Sequence, residues 1–413
     1  MRPEEFAGEH AYHQARTEEG RWRLAKALGV SRRRFLQALG AGGAMVAFEG
    51  VSAPRAQAQA PPPSPVVKPT PADLFYDFGS NKEMRWEAMY GRGYLTPNDL
   101  FFVRNHTRTP RIDLATWRLR VEGSGVQRAL ELTYDDVISL PSASVIRFVE
   151  CAGNGRSFFA AVHGKPAQGT QWKLGAVGVA EWTGVPLREV LDRAGLKATA
   201  TDVMPAGLDD LRVRRPMPVA KALAEDTLLV YAMNGQPLPP DHGFPVRILA
   251  PGWIGVANIK WVGRIEVSEQ PLVSAWNTDT YVLIGPEYKP SPPAKGPVLS
   301  AQSLKSALEL PWGGDVTAGR RLVRGRSWSP FGKITQVEYG LDRAGTWQTA
   351  RLREPNIAGA WARWDFEWEA RPGSHGIRVR ATDEHGNAQP DRVPFNEQGY
   401  LYNAVVEHPV LVK

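Results

Sequence analysis

Cys151 is the only cysteine in 413 residues. It closes the apolar run Val145-Ile146-Arg147-Phe148-Val149-Glu150 and is followed by Gly153-Asn154-Gly155. β-Branched and aromatic residues in such a run favour a buried strand, and Gly-Asn-Gly favours a tight turn. The sulfur is therefore expected where a strand stops and the backbone can bend round a ligand. Arg156 follows closely enough to place a positive charge beside it. Taken alone, a single cysteine is most simply a small buried hydrophobe.

Other stretches could supply partners. Leu100-Phe101-Phe102-Val103 reads as a strand running into Arg104-Asn105-His106. Arginine offers a rigid, always-charged fork for an oxyanion, and Asn and His add hydrogen bonds to a heterocycle or its phosphate. Asp241-His242-Gly243-Phe244-Pro245 reads as a turn feeding a strand from Val246 to Ala250, and a folded-back turn would point His242 and Arg247 at one anion. Pro251-Gly252-Trp253-Ile254-Gly255 precedes Asn258-Ile259-Lys260-Trp261. Its backbone N–H groups could cradle phosphate, but no Gly-Lys-Ser/Thr ending marks a P-loop. Tyr281, in Trp276-Asn277-Thr278-Asp279-Thr280-Tyr281, could donate a hydrogen bond or a proton at a site mouth. Each stretch by itself also reads as ordinary structure: a strand end, a solvated turn, a packed tyrosine.

Composition limits the chemistry. A single cysteine excludes an intrachain disulfide, a Cys-x-x-Cys-His haem attachment, a thiolate iron–sulfur cluster and a multi-cysteine zinc site. Redox work would need a bound cofactor held by few protein ligands. The net charge of +7 suits anionic ligands or an acidic partner. With no nucleic-acid-binding signature and no dense basic block in the body of the chain, nucleic acid is not expected.

The elements that must position these residues follow in order. Residues 1–60 form an N-terminal extension in which Ser31-Arg32-Arg33-Arg34-Phe35-Leu36 precedes a short Gly/Ala-rich apolar run. That run is too short to span a bilayer, and small residues near Ala56-Gln57-Ala58 suit cleavage. The pattern resembles a twin-arginine export signal, which implies a periplasmic protein without a stable membrane anchor. Residues 61–71 read as a proline-rich extended linker. A domain over residues 72–285 mixes short strands with a few helices, among them a helix expected over Glu181–Ala194 and closed by Gly195. Pro286 to Pro297 reads as a break. Over residues 295–413 short strand-like runs, Arg321–Val323, Ile334–Tyr339, Trp361–Trp368 and Ile377–Ala381, suggest a β-sandwich.

Taken together, Phe-Val-Arg-Asn-His at 102–106, Glu-Cys-Ala-Gly-Asn at 150–154, Met-Asn-Gly-Gln-Pro-Leu-Pro at 233–239, Asp-His-Gly-Phe-Pro-Val-Arg at 241–247 and Asn-Ile-Lys-Trp at 258–261 resemble, in order and spacing, the sulfite oxidase family of molybdenum enzymes. The resemblance covers roughly residues 72–413. It implies an α+β chain: a sulfite-oxidase-type mixed α/β molybdopterin domain, then an Ig-like β-sandwich that makes a homodimer. It implies Cys151 as the one protein ligand to molybdenum, a soft thiolate suited to that metal, with one molybdopterin dithiolene per subunit. It places Asn105, His106, Asp209, His242, Arg247, Asn258, Ile259 and Lys260 around the pterin. It places Arg104, Arg156 and Tyr281 at the substrate, with Trp172 as a wall.

Two departures bear on the substrate. Gly155 stands where animal members carry a basic residue, and Gln398 stands at a substrate-pocket arginine of animal sulfite oxidases. With the export pattern and the ending Tyr400 to Pro409, the chain looks most like the molybdenum subunit of the bacterial Sox system. That subunit works with a separate dihaem cytochrome c on the sulfane sulfur of a protein-bound cysteine persulfide. The expectation is a periplasmic sulfite or sulfane dehydrogenase with no haem of its own, passing electrons to a cytochrome c, with a sulfur-carrier protein as a possible substrate. Rival readings are a molybdopterin-dependent methionine sulfoxide reductase and a non-catalytic periplasmic binding subunit.

Overall fold

The computed structural model describes residues 64–341 and 345–413. The export pattern and the proposed cleavage positions lie outside the described residues. Within the first domain one sheet sets Gln236–Pro237, Leu228–Met233, Val177–Pro186 and Ala143–Glu150 side by side, with Arg247–Leu249 also paired to Leu228–Met233. A second sheet orders Leu130–Leu132, Leu119–Glu122, Val262–Ser268, Asp202–Gly207 and Met217–Pro218. A small N-terminal sheet carries Phe75–Phe78, Asn81–Met84 and Val103–Arg104.

The strand that ends at the cysteine forms as its composition dictates. Ala143–Glu150 pairs antiparallel along its whole length with Val177–Pro186, and Ile146, Phe148 and Val149 are buried. Cys151 N–H continues the ladder to Ala176 O at 2.9 Å. The chain then turns through Gly155 at φ +93°, a backbone state that a side chain disfavours.

The helix expected over Glu181–Ala194 is shorter. Val177–Pro186 is a strand and only Leu187–Arg193 is helical. Strand pairing on both sides outweighs helical propensity over 181–186, while Gly195 at φ +72° ends the helix as expected. The run 100–106 is likewise mostly turn, with a strand at Val103–Arg104 alone. The proline-rich stretch is docked where it is described. Val67 and Lys68 donate their N–H groups to the Asp241 carboxylate, and Lys68 Nζ reaches the carbonyls of Asn98, Asp99 and Phe101.

The C-terminal sandwich packs the sheet Lys305–Leu308, Gly319–Trp328, Trp361–Ala370, Arg351–Arg353 against a sheet of Asp315–Val316, Glu407–Val412, Gly373–Asp383, Ile334–Leu341 and Gln348–Thr349. The core between them includes Val323, Val337, Trp364, Ile377 and Ala381. Its strands are longer than the apolar runs suggest, because pairing extends through exposed polar positions. Gly319–Trp328 pairs with Trp361–Ala370 over their full length.

A buried carboxylate ties the N-terminal sheet to the loop after the turn. Glu83 accepts the N–H groups of Lys173 and Gly175, at 3.1 and 2.8 Å. Burial pushes its carboxyl up to about 7, against the pull of those two bonds. An acid raised in this way holds a proton in the folded chain that the unfolded chain has released. Its contribution to stability is therefore present at low pH and is lost as pH rises through about 7. Glu83→Gln should flatten the fall of melting temperature between roughly pH 5 and pH 8; an unchanged slope would contradict this assignment.

Candidate functional site

Two clefts meet at Cys151. The first is lined by Arg104, Asn105, His106, Cys151, Asp209, His242, Arg247, Asn258, Ile259, Lys260 and Tyr281, with Phe101, Phe102 and Trp261 among its apolar walls. The second is lined by Arg104, Cys151, Arg156, Gln168, Gly169, Thr170, Tyr281, Gln398 and Tyr400. Arg104, Cys151 and Tyr281 belong to both.

The first cleft is cationic at its base. Arg247 donates to the carbonyls of His242 and Asn258, at 2.9 and 3.2 Å. Lys260 Nζ donates to the Asn105 side-chain oxygen and to Asp241 O. Among the described residues no carboxylate forms an ion pair with Arg247 or Lys260. His242 Nε2 is buried without a hydrogen-bond partner. Burial pulls the Lys260 ammonium far below its ordinary range, and neighbouring Arg247 adds to this. Burial pulls Arg247 down to about 9 and holds His242 neutral, with Lys68 and Lys260 adding to the effect. A cation buried without a counter-charge is costly, so this base is built for an anion that the chain does not supply.

A hydrogen-bonded triad crosses the junction. Arg104 Nη2 lies 3.1 Å from His106 Nδ1 and 3.5 Å from the Tyr281 hydroxyl, which lies 3.3 Å from His106 Nε2. Arginine only donates, so Nδ1 accepts and the ring proton belongs on Nε2. Burial holds His106 neutral, reinforced by the charges of Arg104 and Lys260. Tyr281 oxygen then accepts from both neighbours, and its own hydrogen is left to donate into the clefts. Burial raises the Tyr281 hydroxyl above its ordinary value, so it stays protonated. Arg104 is also within hydrogen-bonding reach of the Cys151 side chain.

Arg156 is buried in the wall of the second cleft. Its Nε donates to Gln398 O and its Nη1 to Thr170 O, both at 2.8 Å. Its guanidinium lies over the Tyr400 ring, 5.3 Å from the centroid.

The expected residues thus converge, with differences in role. Asn105 lines the cleft, and its amide is bonded to Thr109 and Lys260, so that it also orients a cation. Asn258 is similarly committed to Ala250 N–H and Ile254 O, and the Asp209 carboxylate accepts Val213 N–H. Trp172 does not line either cleft; it is fully buried and packs edge-on to Phe78. Sequence reasoning passed over Tyr400, which stacks on Tyr281 at 5.1 Å. It also passed over Arg215, buried and donating to Trp276 O and Leu299 O. Tyr400 reads only as part of the C-terminal stretch around Gln398, and no local motif surrounds Arg215.

The donor set fits a molybdopterin. The orphaned His242 nitrogen and the unpaired Lys260 and Arg247 suit a phosphorylated, hydrogen-bonding heterocycle. Cys151 supplies one soft donor at the far end of the same cleft. Among the described residues no group of three or more His, Cys, Asp and Glu could hold a metal by itself, which agrees with a metal brought by its cofactor.

Residues 106–276 match the oxidoreductase molybdopterin binding domain, and residues 306–412 match the Mo-co oxidoreductase dimerisation domain. The chain is 35% identical over 331 residues to human mitochondrial sulfite oxidase, covering 75% of this chain and 60% of that protein. It is 36% identical over 332 residues to chicken sulfite oxidase, covering 75% of this chain and 72% of that protein. It is 32% identical over 366 residues to the nitrate reductase [NAD(P)H] of barley, covering 78% of this chain and 40% of that protein. The chain therefore spans 60% of the length of its mammalian relatives. Its structure superposes on the crystal structure of the sulfane dehydrogenase SoxCD from Paracoccus pantotrophus with a TM-score of 0.69 and 26% identity, covering 86% of this chain and 92% of that one.

Replacing His242 by Ala, or Lys260 by Met, should lower the pterin recovered per chain at least several-fold while the fold survives. Fluorescence of the released, oxidised pterin measures this, and full cofactor content in both variants would contradict the cradle.

Proposed function

The chain belongs to the sulfite oxidase family of molybdopterin oxidoreductases, and from that premise we propose that it oxidises sulfite or a protein-bound sulfane sulfur. The observation that carries this reading is the junction: Cys151 opens both on the cationic cleft and on a second cleft walled by arginines and a tyrosine. A molybdopterin-held molybdenum supplies oxygen transfer and takes up two electrons when bound.

The chain's own residues do the rest. His242, Arg247 and Lys260 hold the anionic cofactor, and Asn105 aims Lys260. Cys151 contributes the thiolate. Arg104 stays charged despite its burial, as a guanidinium does, with the Cys151 side chain beside it. With Arg156 it binds the oxyanion and stabilises charge that grows during the reaction. Tyr281 donates its hydrogen toward the same anion. The sulfur gains one oxygen from water, and two electrons and two protons leave. In this reading the electrons pass, one at a time, to a separate cytochrome c. The superposition on SoxCD supports a SoxD-like partner. The dimerisation module supports a homodimeric core. Export to the periplasm by the twin-arginine route completes the reading and rests on residues 31–60 of the sequence. Among the described residues no helix is long and apolar enough to cross a membrane.

Gln398 favours the carrier-bound substrate. Its amide nitrogen donates to Asp279 O at 2.8 Å, and its side-chain oxygen is buried without a partner. The second cleft thus carries a neutral acceptor where the resemblance expects a third cation. That wall also weighs against the sulfoxide reductase reading, because Gln398 and Tyr400 come from the C-terminal module. Gln398→Arg should raise kcat/KM for free sulfite about tenfold or more, chiefly through KM, as a charged hydrogen bond to an anion would. No gain would move the substrate preference to another cause. Tyr281→Phe should cut kcat about 10- to 1,000-fold at unchanged molybdenum content; unaltered turnover would remove the tyrosine from the reaction.

A further inference from the structure

Glu150 is the residue before the cysteine, and its side chain points away from both clefts into the boundary with the C-terminal sandwich. It is fully buried. One carboxylate oxygen accepts Lys305 Nζ at 2.7 Å and Asn154 Nδ2 at 2.8 Å. The other accepts Trp328 Nε1 at 3.0 Å. Its backbone carbonyl accepts Gln302 Nε2 at 2.6 Å. Lys305 and Trp328 face each other across the first strand pair of the sandwich, so one rung of that ladder holds both oxygens.

The loop beyond the cysteine is held from the same side. Ala152 O accepts Leu401 N–H at 2.9 Å. A Cβ on Gly255 would lie 2.7 Å from Glu150 O and 3.2 Å from Cys151 Cα, so the opposite flank has no room either. Strand pairing fixes Cys151 N–H, but it does not fix where the chain goes after the strand stops. The contacts that do fix it come from both domains: Gly155 N–H donates to Lys173 O and Asn154 Nδ2 to Leu174 O within the first, and Leu401 N–H and the Glu150 partners reach in from the second.

We propose that Glu150 is a positioning residue. Through it, the Lys305–Trp328 rung of the C-terminal sandwich sets the place of the Cys151 sulfur. The sandwich is then a working part of the redox site as well as a dimerisation module. The inference rests on Cys151 being the metal ligand, but its test does not need the metal.

Cys151 is the only cysteine, so a small thiol reagent applied to the cofactor-free, full-length protein reports on this sulfur alone. The variants are Glu150→Gln, Lys305→Met and, as the mildest lesion, Trp328→Phe. The control is Arg326→Met. It breaks another buried ion pair of the same sandwich, Arg326–Glu309 at 2.7 Å, which neither binds Glu150 nor lines a cleft. Labelling is followed across pH, with melting temperatures alongside.

The expected result is a rise in labelling rate of about tenfold or more for both Glu150→Gln and Lys305→Met, with Lys305→Arg restoring most of the protection. Trp328→Phe should give a smaller rise, and the control little change at a similar loss of melting temperature. A purely electrostatic effect would move the two main variants in opposite directions, because one removes a negative charge and the other a positive one. Opposite shifts, or rates no higher than the control's, would overturn the proposal. Absence of molybdenum from the parent matured in a cofactor-competent host would instead count against the function proposed above, and the labelling result would still stand.

Discussion

Arg247 and His242 are buried and Lys260 is half-buried round one cleft, with no carboxylate in an ion pair with either cation among the described residues, and the rest of the site follows from that constraint. An unpaired buried charge costs several kcal/mol after relaxation. The chain lowers that cost only in part, by giving Arg247 and Lys260 carbonyl and amide oxygens. The remaining cost is offset by a bound anion. Binding of that anion to the folded state alone stabilises the fold by mass action, so cofactor loading and folding stability are coupled here. The buried Asp241 carboxylate accepts the N–H groups of Val67 and Lys68 and the Thr109 hydroxyl, while its carbonyl accepts Lys260 Nζ.

The second constraint is geometric. Cys151 sits where the two clefts meet, and a strand end is a poor anchor unless something holds the chain past it. Gly153 and Gly155 allow the turn; a Cβ on Gly153 would meet the Arg156 guanidinium. The Glu83 carboxylate fixes the facing loop through Lys173 and Gly175. The C-terminal module closes the other side through Glu150, Ala152 and Arg156. Neither domain builds the redox site alone.

Much of this was legible in the sequence, and the limits have physical causes. The strand into Cys151 and the turn after it were readable, because apolar periodicity and glycines report local structure directly. The grouping of Arg104, His106, His242, Arg247, Lys260 and Tyr281 was readable only through the co-ordered motifs, since no local rule brings residues that far apart in sequence together. The helix expected over Glu181–Ala194 went wrong because tertiary strand pairing overrides propensity over 181–186. Trp172 was placed in the right region with the wrong contact, and Asn105 lines the expected cleft with its amide bonded to Thr109 and Lys260. Side-chain direction there depends on Thr109, Lys260 and Phe78, which no spacing reveals. The Glu150 clamp was invisible for the same reason: its partners at 302, 305 and 328 lie in the other domain, and a Lys or Trp in a strand reads as ordinary surface or core.

The central claim is that Cys151 ligates a molybdenum held by a pterin in the cationic cleft. The most direct test is X-ray absorption at the molybdenum edge, on full-length protein and its Cys151→Ser variant matured in a cofactor-competent host. The account predicts molybdenum in the parent and one sulfur neighbour fewer in the variant. The same sulfur count in both, or a parent without molybdenum, would contradict it.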